Sequence, residues 1–165
     1  MQIVLAQDEP AELKADEVKI SEILENETAY HGEMVVVEGK IELECGAGCW
    51  FVLNDGTGSI YYFHPTERCP IDQSIEQNLL KLMQSSFAKE IKDGKIKFQV
   101  INTDDKSQAK TVARFDINAQ ALYIVSRKNG KEIKNDLTRF AFDYGQSNPD
   151  RFRSGLKVEI DNSLK

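Results

Sequence analysis

The run Ile60-Tyr61-Tyr62-Phe63-His64-Pro65-Thr66-Glu67-Arg68-Cys69-Pro70-Ile71-Asp72 constrains the fold more than any other stretch of the chain. Its apolar and aromatic opening reads as a buried strand. A short polar loop follows. Cys69 then stands before Pro70, and Pro fits the first position of a helix. A thiol at a helix N-terminus has its thiolate favoured by free backbone N–H groups and the helix dipole. Arg68 adjoins it and His64 ends the strand, and either side chain adds positive charge. Asp72, one turn into the helix, competes for the same helix end and repels a thiolate. It also stands where a Cys-x-x-Cys pair would place its second cysteine, so the stretch is a redox scaffold written with one sulphur.

Size and charge narrow the function classes. The chain has 165 residues, 41% hydrophobic and 29% charged, which fits one ordinary domain or two small ones. A net charge of −6 with no run of basic residues argues against a nucleic-acid partner, which calls for a basic face. No apolar run approaches the roughly 20 residues of a membrane span. Val4-Leu5-Ala6-Gln7 resembles the end of a trimmed export signal, which would make the chain periplasmic or exported; an ordinary N-terminus, and a cytoplasmic chain, reads equally well from the same residues. The three cysteines are Cys45, Cys49 and Cys69. An odd count in an exported protein implies one bridge and one free thiol.

Along the chain, residues 8–17 are acidic and expected to be poorly ordered. A short helix follows, with Ser21 as cap, Glu22 and Glu25 in its first turn, and Ile20, Ile23 and Leu24 on its apolar side. From Val35 a strand alternates strictly. Val35, Val37, Ile41 and Leu43 form the apolar face; Glu38, Lys40, Glu42 and Glu44 form the wet one. Gly39 interrupts the apolar face and predicts a bulge or sharp coil. Cys45-Gly46-Ala47-Gly48-Cys49 is a tight turn, Trp50 to Leu53 a second strand, and Asn54 to Gly58 a hairpin turn into a third strand over Ser59–His64.

The pattern then switches to alternating helix and strand. Ile71, Ile75, Leu79, Leu82, Met83, Phe87 and Ile91 recur at helical spacing, which predicts one long helix ended by Gly94. Lys95 to Ile101 is a strand. Asp104 or Asp105 caps a shorter helix carrying Ala109, Val112, Ala113 and Phe115. Ala121 to Val125 is a buried strand, and Asn129-Gly130 is a hairpin signal that returns the chain antiparallel from Lys131. Asn148-Pro149 opens a last helix with Phe152, Leu156, Ile160 and Leu164 at steps of four. From Ser59 the order is β-α-β-α-β-β-α, with the first two strands parallel through a right-handed crossover.

That order is the minimal thioredoxin fold, and the residues carry a family likeness. Tyr61 to Lys165 resembles the thioredoxin-like nitrophenyl compound nitroreductase subunit ArsF family. The likeness rests on the Tyr-Tyr-Phe-His strand, Thr66-x-Arg68-Cys69-Pro70, Ser74-Ile75-Glu76, and the phrase from Phe87 to Ile96. It covers about two thirds of the chain. Family members typically read Cys-Pro-Thr-Cys at the helix start, where this chain has Cys69-Pro70-Ile71-Asp72. Thioredoxins also place a cis-proline before the third strand, facing the cysteine; by position Ala121 stands there. Residues 32–60 resemble a second group, small OB-like domains, through Gly32 to Ile41, Gly48-Cys49-Trp50 and Asp55 to Gly58. An OB barrel needs five strands and this match holds three. The segment Ser59–His64 would have to serve both patterns, as a natural fusion or an engineered chimera would produce.

The expected fold is therefore α/β. A flexible acidic N-terminus spans 1–17, a helix plus partial OB-like three-stranded meander 18–58, and a thioredoxin-like domain 59–165. The resemblance implies an accessory protein for thiol-dependent redox or thiol binding, with Cys69 as nucleophile or ligand, Arg68 and Asp72 beside it, and Ala121, His64 and Pro70 forming the docking side. Its partner would be a protein or a small-molecule thiol, with no cofactor. The other reading is a non-catalytic interaction or structural module on the same scaffold. Cys45 and Cys49 are a disulfide or thiol pair, and two cysteines fall short of the four ligands of a structural zinc. Trp50, Phe51, Tyr61, Tyr62 and Phe63 are better read as core than as a base-stacking platform.

Overall fold

Every residue from Ser59 to His64 is buried, because the strand that holds them has a neighbour on each edge and a packed layer on each face. In a computed structural model that describes residues 15–46, 51–117, 119–128 and 131–164, this strand is β3 (Gly58–His64). It pairs in parallel with β4 (Ile96–Asn102) and antiparallel with β5 (Ala121–Lys128). β6 (Lys131–Asp136) pairs antiparallel with β5, so the sheet order is β4-β3-β5-β6. This is the strand order expected for a minimal thioredoxin-like sheet. Asn129-Gly130 lies outside the described residues, yet the ladder runs on to Lys128 opposite Lys131.

Side-chain alternation in β3 divides two cores. Ile60 and Tyr62 point to one face, where α2 (Pro70–Ser86) and α6 (Pro149–Ser163) supply Ile75, Leu79, Leu82, Met83, Phe152, Leu156 and Ile160. Tyr61 and Phe63 point to the other, against Phe115 of α4 (Ala109–Phe115). Phe115 stacks at tilted angles on both rings, 4.8 and 5.0 Å between centroids. Gly155 lies inside α6, where glycine is a poor helix former. A Cβ there would meet Phe140 Cζ at 2.6 Å, so close packing against the ring explains it.

Two helical boundaries differ from the sequence reading. The long helix ends at Ser86, and Phe87, with φ −131°, breaks it from α3 (Ala88–Lys92). Phe87 is buried, and the helix restarts at Ala88 with Ile91 packed against the same core. A helix that the sequence did not announce, α5 (Thr138–Tyr144), follows β6. Asp136 Oδ1 accepts from the Thr138 backbone N–H at 2.9 Å and starts it. Asp105 fills the expected capping role for a short 3-10 turn over Lys106–Gln108 ahead of α4.

The segment ahead of β3 departs most from expectation. β1 (Lys40–Glu44) and β2 (Phe51–Asn54) form a two-stranded antiparallel sheet, and β3 does not join them. A three-stranded meander is not what forms, because both edges of β3 are taken by β4 and β5. The Asn54–Gly58 link does hold turns: Asn54 Oδ1 accepts from Gly56 N–H at 2.8 Å and Asp55 Oδ1 from Thr57 N–H at 3.1 Å. They connect two sheets instead of two paired strands.

Within the hairpin the alternation also breaks. Ile41 faces Leu53 and Leu43 faces Val52, so a register shift lies between them. Two residues of β1 answer one step of β2, which puts Ile41 and Leu43 on opposite faces. The expected buried stripe is therefore split, and Ile41 is 51% exposed and Leu43 44%. The bulge sits after Gly39, not at it. Gly39 is required for another reason: a Cβ there would come within 2.5 Å of the Asn54 carbonyl oxygen.

By contacts the chain separates into residues 1–38 and 39–165. In the first unit, α1 (Ile20–Glu25) is capped by Lys19 with no side-chain bond, so Ser21 lies inside the helix and does not cap it. Val35 and Val37 are in no strand. Val36 makes a lone parallel bridge with Glu17, in which Val18 N–H donates to the Val36 carbonyl at 2.9 Å. Among the described residues no helix is long and apolar enough to cross a membrane.

Candidate functional site

The site is built where β3 hands over to α2. His64 closes the strand and is buried. Its carbonyl accepts from Thr103 N–H at 2.8 Å, and Asp104 Oδ2 accepts from Thr66 N–H at 2.7 Å, so the loop is tied to the end of β4. The Thr66 donors hold the Asp104 carboxyl below its ordinary range. Cys69 then adopts the extended N-cap conformation and Pro70 takes the first helical position. The thiol is exposed.

Asp72 sits at the third position of α2 and forms a capping box with Cys69: its Oδ2 accepts the Cys69 backbone N–H at 3.0 Å. The same oxygen accepts from Gln120 Nε2 at 2.9 Å. The side chain is fully buried, and Oδ1 has no hydrogen-bond partner. Beneath it, the Tyr62 hydroxyl donates to the Asp72 backbone carbonyl at 3.1 Å. Burial, and then the Asp72 charge, pushes the Tyr62 hydroxyl well above its usual pKa.

Arg68 is partly buried in the loop ahead of α2. Its guanidinium pairs with Glu76, and its Nε donates to His64 Nδ1 at 3.0 Å. The cation is thus held between the strand end and the second turn of α2. Ala121 is the buried first residue of β5, and among the described residues no peptide bond is cis. The approach to β5 therefore meets the helix start through the Gln120 side chain, not through a proline ring.

The structure gathers Cys69, Asp72, Pro70, Arg68 and His64 at one sheet end, with Ala121 following the Gln120 contact. Sequence reasoning missed Gln120, Tyr62 and Glu76. Gln120 was readable as the polar neighbour of the expected docking position. Glu76 was readable only as an acidic position in the second turn of the helix that follows Arg68. Cys45 is half-buried past the end of β1; Cys49 and Trp50 lie outside the described residues, and with them the proposed thiol pair. Among the described residues no group of three or more His, Cys, Asp or Glu side chains is placed to hold a metal ion.

No protein-family model matches the chain, and no curated protein matches it by sequence. Similar solved structures include a thioredoxin from Thermus thermophilus, 14% identical over 91% of this chain and 87% of that one, with a TM-score of 0.42. Thioredoxin O2 from Arabidopsis thaliana in its oxidized state is 17% identical over 67% of this chain and 77% of that one, TM-score 0.38. An uncharacterized thioredoxin-like protein from Porphyromonas gingivalis is 15% identical over 75% and 89%, TM-score 0.38. The strand order and helix placement described above, not these likenesses, define the fold.

Proposed function

We propose that this protein is a thioredoxin-like accessory that acts through a single thiol, Cys69, exchanging with the disulfide of a partner protein or a small molecule. One observation carries the reading: an exposed cysteine caps the N-terminus of the long helix that leaves the central strand. The resemblance of residues 59–165 to the nitroreductase subunit ArsF family supports it. In the reaction the Cys69 thiolate attacks one sulphur of the partner disulfide. A new S–S bond forms, the old one breaks, and the second partner sulphur leaves as a thiolate that takes up a proton. With a carboxylate at position 72, the adduct waits for an outside thiol to release it. The motif pieces in 32–60 are, in this reading, a reduced OB-like segment fused ahead of the scaffold.

The second reading is a non-catalytic interaction module. What favours it is Asp72, whose carboxylate is buried and committed to Cys69 N–H and Gln120 where a second thiol would stand. Incubation with oxidised glutathione separates the two. A mixed disulfide on Cys69, found by peptide mass mapping and reversed by added thiol, is the expected result. A Cys69 that stays free leaves the interaction module. Insulin reduction is expected to fail in either case.

A further inference from the structure

We propose that Asp72 restrains Cys69: its buried carboxylate sits at the same helix end as the sulphur, opposes an anion there, and so sets how fast Cys69 reacts. The inference rests on reading Cys69 as a nucleophile and concerns what tunes it. The Asp72 carboxylate touches the Cys69 backbone, while the Asp72 backbone completes the capping box on the Cys69 side chain, so the carboxylate is a positioning group.

The start of α2 has one set of free donors and a partial positive charge to offer an anion. Pro70 contributes no N–H to that set. The Asp72 carboxylate takes the Cys69 N–H itself at 3.0 Å and adds the Gln120 amide at 2.9 Å. The carboxylate is shut off from water, and the exposed sulphur lies three residues back. Arg68 is engaged by Glu76 and lies along His64. The Tyr62 hydroxyl is spent on the Asp72 carbonyl. Those groups, Tyr62 and His64 from β3, Arg68 from the loop, Glu76 from α2 and Gln120 from the approach to β5, are the ones that face the site.

Two further observations point the same way. The Tyr62 hydroxyl is shifted by Asp72 and by Cys69 in one direction and by Arg68 in the other, after burial, so carboxylate and sulphur act on the same buried group. The carboxylate also keeps a buried oxygen, Oδ1, with no donor.

The test is alkylation of the full chain by iodoacetamide across a pH series, with the Cys69 and Cys45 peptides followed separately by mass. The sulphur–carbon bond forms, iodide leaves, and the thiol proton goes to solvent. Asp72→Asn keeps the shape and both hydrogen bonds while removing the charge. It is expected to speed Cys69 roughly tenfold at neutral pH and to move its rate profile to lower pH, with Cys45 unchanged. Asp72→Glu keeps the charge and stays near the wild-type rate. A Cys69 rate and profile in Asp72→Asn equal to wild type, or slower, overturns the inference. If that variant unfolds, all cysteines speed up together, and Gln120→Glu decides instead: a second carboxylate at the same place slows Cys69, and an unchanged rate overturns the inference. Failure of glutathione to add to Cys69, with the alkylation difference intact, removes the exchange reading and leaves this one standing.

Discussion

The Gln120 side-chain amide donates to Asp72 Oδ2 at 2.9 Å and so joins the approach to β5 to the first turn of α2. The contact is buried at its acceptor end, and the other Asp72 oxygen already lacks a partner. Gln120→Leu removes one of the two donors that the carboxylate has. A buried acceptor deprived of its donor costs about 1–3 kcal/mol. Urea denaturation is expected to show a lower midpoint by that amount with an unchanged slope. A midpoint equal to wild type would mean that Gln120 does not support the carboxylate.

Tyr62 gives the stability a pH dependence. Burial first, and the Asp72 charge second, hold its hydroxyl above the ordinary value of 10.0. The folded state therefore keeps this proton more tightly than the unfolded chain. The sign follows: the contribution is complete below about pH 10 and is lost as pH rises from there through the folded-state value. Tyr62→Phe is expected to cost about 1 kcal/mol near pH 8, for the bond to the Asp72 carbonyl. It also removes this group's part of the alkaline decline, up to about 1.4 kcal/mol per pH unit. Urea midpoints on both sides of about pH 10 check both parts, and parallel alkaline limbs for the two proteins would refute the second.

The division between core and hairpin can be read from two truncations. Leu156 is fully buried between α6 and the sheet, whereas Phe51 on β2 is 62% exposed. Leu156→Ala is expected to cost about 2–5 kcal/mol through lost burial and the cavity left behind. Phe51→Ser is expected to stay within about 0.5 kcal/mol. Chemical denaturation of both variants measures the contrast. A large loss from Phe51→Ser would show that the hairpin face is covered in solution.

Much of the fold was legible because the strongest signals were local. Ile60 to His64 is a strand with no polar position before its end, which only a central strand needs. Asn129-Gly130 announced a hairpin, and β5 and β6 do pair antiparallel on either side of it; Asn148-Pro149 announced the start of α6, where Asn148 Oδ1 caps the Arg151 N–H at 3.1 Å. What was not legible depended on partners. Strict alternation over Ile41 and Leu43 assumes an unbroken ladder, and the register shift lies in the pairing with β2. The Asn54–Gly58 turn is real, but a turn motif does not say whether its flanks pair. α5 was not announced because, although Phe140, Ala141 and Tyr144 are spaced helically, a seven-residue helix is shorter than most periodic windows. At the site, Cys69, Asp72 and Arg68 were found from the helix start. The engagement of Arg68 by Glu76, and of Asp72 by Gln120, belongs to tertiary structure.

Asp72 stands three residues after Cys69, in the first turn of α2. In the first turn of a helix, side chains three apart face each other at about 5–6 Å between Cβ atoms. Disulfides need about 3.5–4.5 Å between Cβ atoms, with Cα atoms within about 6.8 Å. The capping box already brings residues 69 and 72 into contact, so a small closing motion is enough. Asp72→Cys is therefore expected to form an internal disulfide with Cys69 on mild oxidation, seen as a mass loss of two hydrogens on the peptide that holds both. The variant gives up the Cys69 N–H cap and the Gln120 bond, so its reduced form is expected to be less stable by about 1–2 kcal/mol. If oxidation yields only intermolecular dimers, the helix start does not hold the two positions in bridging geometry.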